Sequence, residues 1–398
     1  MEFPTFPTTC IPGDPVSKIS LHPDLTKNVN APVIPEPTST LAIFFKVLFY
    51  LIAFVLDIVG NSLVLLIIYL NKKMRTTTNV LILNLAVSDL MVGVFCMWVH
   101  VGNQLTSEWI FGDIVCKVNT FIQVLAVTSS VLTLTVISVE RFMAIVFPFK
   151  AKWSPWVTGG IVIVDWLAAI AVAAPHLAVR HQHEQIWKDR HEVWCEEVWD
   201  KYYKDEKCTS YEPGKIIYYV IEATVMYFLP ILIMIVAYTV ISVRLLIRKA
   251  PGAVISATAS AQERAKRKVI KMLVAVLVVF IVCWTPQQVI LLWDLFRPKV
   301  RPPEYVRPLK YMALYIAYFN SAMNPILYGG FNENFRKGFS EAFRCLLIRR
   351  KNVIKPIGNN TAHRVPTGFS ENDVPLTVTN GRTGTKPTTV NTLYTPDA

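Results

Sequence analysis

Seven stretches of apolar residues, each long enough to cross a membrane, constrain this chain more than any other feature. They cover residues about 41–70, 77–102, 116–146, 156–178, 216–246, 269–296 and 305–330. A helix needs about 20 apolar residues to cross a hydrocarbon core of about 30 Å, and only helices and closed barrels satisfy their backbone groups in lipid. Barrel strands are about ten residues long and alternate in polarity, whereas these stretches are longer and apolar throughout. We therefore predict an all-α membrane protein, a bundle of seven transmembrane helices.

The composition supports lipid as the environment of these stretches. Hydrophobic residues make up 53% of the 398 residues and charged residues 17%, compared with about 25% charged residues in ordinary soluble domains. The formal net charge of +12 does not indicate nucleic-acid binding, because the basic residues lie largely in short segments between the apolar stretches. No CxxC or HExxH motif and no nucleophile with a paired base occurs, so we predict neither an enzyme nor a zinc site.

Basic residues mark one side of the predicted bundle as cytoplasmic. Lys72, Lys73 and Arg75 follow the first stretch with no acid among them, and residues 247–268 carry a second basic cluster. Lys and Arg are enriched in the cytoplasmic loops of membrane proteins. We therefore expect a multi-pass protein of the plasma membrane with an extracellular N-terminus.

Four regions follow from this topology. Residues 1–40 and 347–398 are rich in polar residues and proline, so we expect a disordered extracellular segment and a disordered cytoplasmic tail. Residues 41–330 form the predicted transmembrane domain. Residues 331–346 place phenylalanine at every fourth position, which is typical of an amphipathic helix on the inner membrane surface. Cys345 at its end is either a palmitoylation site or an unmodified buried thiol.

Polar residues within the apolar stretches form a candidate site at membrane depth. Asp89 lies in the middle of the second stretch, where an ionisable group is costly. The other polar residues at this depth are Asp57, Asn61, Ser130, Asn320, Ser321 and Asn324. Two interpretations stay open: the cluster joins helices by hydrogen bonds, or its carboxylate, hydroxyl and amide oxygens bind a hard cation such as sodium.

Two further features bear on movement. Glu140 and Arg141 end the third stretch, either as an ordinary interfacial ion pair or as a latch that releases Arg141 in a second state. Pro230, Pro286 and Pro325 interrupt three stretches, and each proline removes a backbone hydrogen bond and bends its helix. Static kinks and moving helices both fit this pattern.

Four cysteines are predicted to lie outside the cell. Cys116 opens the third stretch and Cys195 lies in the long outer loop, so we expect a disulfide between them on the oxidising side. Cys10 and Cys208 are a second candidate pair.

Taken together, the motifs resemble those of rhodopsin-like (class A) G-protein-coupled receptors over roughly residues 41–346. The motifs are GN at Gly60–Asn61, LAVSD at Leu85–Asp89, WIFG at Trp109–Gly112, ERF at Glu140–Phe142, Trp166, CWTP at Cys283–Pro286 and NPILY at Asn324–Tyr328. Any one of them is weak evidence, but their order within the correct stretches is specific.

The resemblance implies roles for individual residues. Asp89, Ser130, Asn320 and Asn324 resemble the family's sodium pocket, and Cys116 with Cys195 resembles its outer disulfide. The implied activation switches are Trp284, Phe280, Pro230, Val131, Glu140, Arg141, Tyr238, Asn324, Pro325 and Tyr328. The family commonly has aspartate in place of Glu140 and isoleucine in place of Val131.

The resemblance also favours a peptide ligand. Gln123 stands where amine receptors carry an aspartate, and Tyr318 where opsins carry the retinal-binding lysine. Receptors for RFamide-type neuropeptides are most similar, first the pyroglutamylated RFamide peptide receptor and then the orexin and neuropeptide FF receptors. This likeness rests on Gln123, the ERF variant, PFKAKW at Pro148–Trp153, CEEVW at Cys195–Trp199 and FNENFRKG at Phe331–Gly338.

A peptide that ends in Arg-Phe-amide needs carboxylates for its arginine, amides or hydroxyls for its C-terminal amide, and aromatic rings for its phenyl group. The candidates, in that order, are Glu222, Glu196, Glu197 and Asp294; Gln123, Gln287 and Gln288; and Trp199, Trp284, Tyr311, Tyr315 and Tyr318, with His100 as a further lining residue. The alternative for the loop acids is solvated charge that balances nearby lysines. His100 has the alternative of a hydrogen-bonded histidine inside the bundle.

The expected partners are an amidated neuropeptide, a heterotrimeric G protein, arrestin with a receptor kinase, and membrane lipid. A receptor for an orexin-like or neuropeptide Y-like peptide is the alternative within the same fold. A transporter or channel would need a continuous polar path, whereas the polar residues end at the cluster around Asp89. A membrane-embedded enzyme would need a catalytic set that the sequence lacks.

Overall fold

A computed structural model describes residues 39–106, 108–149, 153–203, 210–247, 257–297 and 305–352. Within these residues, seven long helices follow one another and an eighth lies at the end. They are α1 (Thr40–Leu70), α2 (Thr77–Met91, Val92–Met97 and Trp98–Leu105), α3 (Gly112–Val146), α4 (Pro155–Ala173 and Pro175–Val179), α5 (Pro213–Ala223, Thr224–Phe228 and Leu229–Ile247), α6 (Ala257–Phe296), α7 (Val306–Phe331) and α8 (Glu333–Asn352). A short 3₁₀ turn, Lys72–Met74, joins α1 to α2, and the middle segments of α2 and α5 are π-helical.

Among the described helices, α1 to α6 are each long and apolar enough to cross a membrane, judged by length and composition. Helix α7 is 26 residues long but more polar. Its Asn320, Ser321 and Asn324 are buried inside the bundle. The polarity of α7 therefore belongs to its inward face, while α1 and α6 pack on either side of it.

Local chemistry explains where several helices begin. The hydroxyls of Ser39, Thr76 and Ser154 each accept a hydrogen bond from a backbone N–H in the first turn of α1, α2 and α4, which satisfies a donor that the helix leaves unpaired. Pro155 follows the cap of α4, where its missing N–H costs nothing. Gly112 begins α3 at φ +80°, a conformation that a glycine adopts without a steric penalty.

Helix α3 is central: it packs against α2, α4 and α5. Large side chains such as Phe280, Tyr318 and Phe335 are almost fully buried, whereas Ile163, Leu232 and many other apolar side chains face outward. A soluble protein rarely exposes so much apolar surface. The outward surface of this bundle is therefore suited to lipid.

A β-hairpin lies at one end of the bundle, between α4 and α5, and we call this end the outer end. Strand β1 (Arg180–Ile186) pairs antiparallel with β2 (His191–Glu197), and a second short pair joins β3 (Tyr202–Tyr203) to β4 (Ser210–Tyr211). A disulfide connects Cys195 of β2 to Cys116 in α3, with the Cα atoms 5.7 Å apart. This is the disulfide that the sequence predicted, and it fixes the hairpin to the central helix.

The helices agree with the predicted stretches except at two ends. Helix α6 begins at Ala257 rather than near residue 269, because the preceding residues include alanine, glutamate, lysine and arginine, which form helices in water. For the same reason α8 continues to Asn352. Cys10, Cys208, residues 1–38 and 353–398, and the side chain of Cys345 lie outside the described residues.

A close approach of α1 to α7 generates a first prediction. A Cβ atom added at Gly60 would lie 2.8 Å from the ring of Pro325, and a proline ring has little freedom to move away. We expect Gly60→Ala to destabilise the protein by about 1–3 kcal/mol through overpacking. The measurement is the melting temperature of the purified protein in detergent.

Gly160→Ala in α4 is the matched control, because a Cβ there meets nothing within 4 Å. It should leave the melting temperature unchanged or raise it, since alanine favours a helix over glycine by about 0.5–1 kcal/mol. Equal melting temperatures for the two variants would contradict the close packing of α1 on α7.

Candidate functional site

A cavity of about 330 Å³ lies between α2, α3, α5, α6 and α7, next to the β1–β2 hairpin. Its size falls within the range of small-ligand sites. Seven of the ligand-binding residues predicted from sequence line it: His100, Gln123, Glu222, Trp284, Gln287, Gln288 and Tyr318. The fold therefore brings together side chains that are up to 218 positions apart in the chain.

Glu222 is the acid that lines this cavity. Its Oε2 atom is buried and accepts no hydrogen bond from any described residue. A carboxylate that loses its water without gaining a partner is costly. Glu222 is therefore ready to receive a cationic or hydrogen-bonding group from a ligand.

Glu197, whose partners Arg180 and Tyr219 line the cavity, is by contrast already paired. Its carboxylate forms ion pairs with Arg180 Nη2 at 2.5 Å and Lys215 Nζ at 3.5 Å. It also accepts hydrogen bonds from Trp199 Nε1 at 3.1 Å and from the hydroxyl of Tyr219. Burial raises the pKa of the Glu197 carboxyl, but Arg180, the hydrogen bond from Tyr219 and Lys215 outweigh burial, so the pKa lies below its usual value. This cluster joins the hairpin to the outer end of α5.

The other predicted acids lie outside the cavity lining. Asp294 accepts from Arg297 at 3.0 Å and pairs with Lys310 of α7. The exposed Glu196 lies 3.6 Å from His183 across the hairpin. Both acids are engaged by neighbouring basic residues of the chain.

Two predicted aromatic residues pack against α1 and not in the cavity. The Tyr315 hydroxyl donates to the backbone oxygen of Phe49 at 3.3 Å, and its ring centroid is 5.0 Å from that of Tyr50. Tyr311 stacks on His100, and the ammonium group of Lys46 in α1 lies over the Tyr311 ring, 4.9 Å from its centroid. These contacts give Tyr311 and Tyr315 a role in joining α1 to α7.

Sequence reasoning missed several cavity residues, including Arg180, His176 and Tyr219. Tyr219 lies three positions before Glu222 in α5, so helical spacing places both on one face and could have indicated it. His176 in the last turn of α4 is buried and lies 2.9 Å from the Tyr218 hydroxyl. Arg180 begins β1, directly after α4. Its position depends on the pairing of β1 with β2, and no local sequence pattern indicated that pairing.

The predicted polar cluster around Asp89 exists in the bundle core. Asp89 accepts from Ser130 Oγ at 3.3 Å and from Asn324 Nδ2 at 2.7 Å, and Asn320 is buried one turn before Asn324. Among the described residues, no Lys, Arg or His forms an ion pair with Asp89. One carboxylate with hydroxyl and amide groups suits a monovalent hard cation. No group of three or more His, Cys, Asp or Glu side chains able to hold a metal ion occurs in the described part of the chain.

A second cavity of about 500 Å³ opens at the opposite end of the bundle, and Arg141, Tyr238 and Tyr328 line it. Arg141 donates to both oxygens of Glu140, at 2.5 and 2.9 Å, and Thr78 donates to Glu140 at 3.2 Å. Arg141 is therefore held by Glu140 in this conformation. Lys268 of α6 also pairs with Glu333 of α8.

Most of the remaining predicted switch residues lie, along their helices, between residues that line the two cavities. Val131 and Phe280 are buried, and the rings of Phe280 and Trp284 are 6.4 Å apart. Pro230 follows the π-helical segment of α5, and Pro286 and Pro325 lie inside α6 and α7.

Comparison with known proteins identifies this architecture. Residues 60–328 match the family model described as 7 transmembrane receptor (rhodopsin family). The chain therefore belongs to the rhodopsin family of seven-transmembrane receptors, as the motifs indicated. The members of this family are receptors, not enzymes, and they couple to G proteins.

Several curated receptors are similar over most of their length. A QRFP-like peptide receptor of Branchiostoma floridae is 35% identical over 306 residues, which cover 76% of this chain and 78% of that protein. Neuropeptide FF receptor 1 of Homo sapiens is 36% identical over 332 residues, covering 79% and 73%. The Substance-P receptor of Homo sapiens is 29% identical over 329 residues, covering 82% and 77%.

The Glu197 cluster generates a second prediction. A carboxyl whose pKa is lowered by folding stabilises the protein above its unfolded pKa of about 4.5, and this stabilisation is lost as the pH falls through the lower folded value. We expect Glu197→Gln to cost about 1–3 kcal/mol at pH 7. The variant should also melt with a weaker dependence on pH below about 4.5.

The control is Glu196→Gln, the next residue on the same strand, whose side chain is 48% exposed. It should change the melting temperature little at either pH. If Glu197→Gln and Glu196→Gln have the same pH profile, the internal pairing of Glu197 contributes nothing to stability.

Proposed function

We propose that this chain is a plasma-membrane receptor for an amidated RFamide-type neuropeptide, with its N-terminus outside the cell, and that peptide binding activates a heterotrimeric G protein inside. The observation that carries the proposal is the unpaired Glu222 oxygen in an outer cavity that also contains amide and aromatic side chains. The names of two similar receptors, for QRFP-like peptide and neuropeptide FF, support the same ligand class.

The cavity matches the chemistry of an Arg-Phe-amide end. Glu222 receives the arginine, because a guanidinium forms strong charged hydrogen bonds with a carboxylate. Gln123 and Gln288 on α3 and α6 offer amides to the C-terminal amide, and Trp284 and Tyr318 offer ring surface to the phenyl group. The rest of the peptide extends past the hairpin.

Activation is a shift between two populations of the receptor. The peptide favours the state in which α6 moves outward about Pro286 and Arg141 turns from Glu140 towards Tyr238. This movement enlarges the inner cavity so that a G-protein helix can enter. Asp89, Ser130, Asn320 and Asn324 would hold a sodium ion, which supplies the positive charge that the buried carboxylate lacks. Arrestin and a receptor kinase act on the cytoplasmic tail after activation.

Glu222 gives a direct test of the ligand. In a nucleotide-exchange assay with amidated RFamide peptides, Glu222→Gln should lower peptide potency at least about 30-fold, because one partner of a buried charged pair is worth about 2–5 kcal/mol. Gln123→Ala is measured in parallel and should also weaken the response. Glu196→Gln is the control and should respond like the wild type.

Exchange of the peptide's arginine for citrulline identifies the partner of Glu222. The citrulline peptide should lose potency on the wild type and lose little more on Glu222→Gln, because coupled partners are not additive. Additive losses would mean that the arginine binds elsewhere. Wild-type responses from both Glu222→Gln and Gln123→Ala would reject the proposed pocket.

Arg141 tests the inner side independently. Arg141→Gln should abolish peptide-stimulated nucleotide exchange and leave peptide binding within a fewfold of the wild type, since Arg141 lies in the inner cavity and not in the outer one. Binding of a labelled peptide to membranes provides the second measurement. Normal exchange by Arg141→Gln would contradict the proposed latch, and solute flux through liposomes without exchange would favour a channel.

A further inference from the structure

Helix α1 carries a buried carboxylate, Asp57, which the proposed function does not use. Asp57 has no exposed surface. Its Oδ1 atom accepts from Asn61 Nδ2 at 2.8 Å, but its buried Oδ2 atom has no hydrogen-bond partner among the described residues. The buried Oδ1 atom of Asn61 is also without a partner. Two orphaned oxygen atoms therefore lie one helical turn apart on the inner face of α1.

These oxygen atoms belong to the same polar region as Asp89. A Cβ atom added at Gly93 would lie 2.2 Å from Asp57 Oδ2, and Gly93 lies one turn after Asp89 in α2. On the other side, Asn61 Nδ2 donates to the backbone oxygen of Ser321 at 3.3 Å, three residues before the Asn324 that binds Asp89. Asp57 and Asp89 therefore lie in one polar region of the bundle.

The charges of Asp57 and Asp89 meet no basic partner among the described residues. Within the described ranges, no Lys, Arg or His forms an ion pair with Asp57 or with Asp89. Two carboxylates that share a site away from water cannot both stay ionised without a compensating cation. The orphaned oxygen atoms are the hard ligands that such a cation would take.

We propose that Asp57 is the second carboxylate of the cation site at Asp89, so that Asp57 and Asn61 supply its α1 side and Ser130 and Asn324 its α3 and α7 sides. The inference rests on the proposed sodium role of Asp89. It assigns to α1 a part of the site that the proposed function leaves to α2, α3 and α7. The added negative charge raises the affinity for a cation.

Asp165 provides a matched control within the same bundle. It is also a buried aspartate with one oxygen, Oδ1, that has no hydrogen-bond partner among the described residues, while its Oδ2 atom accepts from Ser129 Oγ at 2.6 Å and Asn84 Nδ2 at 3.2 Å. Asp165 lies on α4, and its donors lie on the α2 and α3 faces that meet α4. Asp165→Asn and Asp57→Asn make the same chemical change, because each replaces one carboxylate oxygen with an amide nitrogen.

The experiment measures the melting temperature of the purified full-length receptor in detergent as sodium chloride replaces choline chloride at constant ionic strength. The wild type should be stabilised by sodium with a saturable midpoint. Asp57→Asn should raise that midpoint at least about tenfold, whereas Asp165→Asn should leave it within about twofold. Asp89→Asn should abolish the response.

The outcomes separate the inference from the proposed function. If Asp89→Asn loses the sodium response and Asp57→Asn keeps the wild-type midpoint, the role of Asp57 is overturned and that of Asp89 stands. If the wild type shows no stabilisation by sodium over choline, both fail. Asp57→Ser is measured in parallel, in case the asparagine variant does not fold, and an unchanged midpoint in either folded variant overturns the inference.

Discussion

The hydrogen bonds that Asp89 accepts from Ser130 and Asn324 connect three helices in the buried interior of the bundle. In lipid, apolar contacts do not drive helices together, so polar contacts and close packing decide how the helices assemble. The polar face of α7 exists because it meets this cluster. Along α2, α3 and α7, the cluster lies between residues that line the outer cavity and residues that line the inner one.

Charged side chains are paired differently at the two ends of the bundle. At the outer end, Glu197 is neutralised by Arg180 and Lys215, whereas Glu222 has an oxygen that no described residue engages. At the inner end, Arg141 is held by Glu140. One end therefore has an acid available for a ligand, and the other has a cation held in a pair that can exchange partners. This asymmetry is the physical basis of the proposed coupling.

Much of the fold followed from the sequence because a bilayer permits few alternatives. Apolar length predicted the helices, and the Cys116–Cys195 disulfide and Asp89 cluster were expected from topology and motif order. The cavity was predicted in part: Glu222, Gln123 and Gln288 line it, whereas Tyr311 and Tyr315 pack against α1. The spacing of residues in α7 gives their faces but not which neighbouring helix each face meets.

The sequence by itself determined the helical class, the order of the helices and the kind of polar residue at each depth, because hydrophobic length and helical period act locally along the chain. Only the tertiary structure decided which acids have partners. Arg180 reaches Glu197 because a hairpin returns over the bundle, and Asp57 faces Gly93 because two helices approach closely. Pairing of charges depends on distances across the bundle, and those distances are set by packing between residues far apart in the sequence.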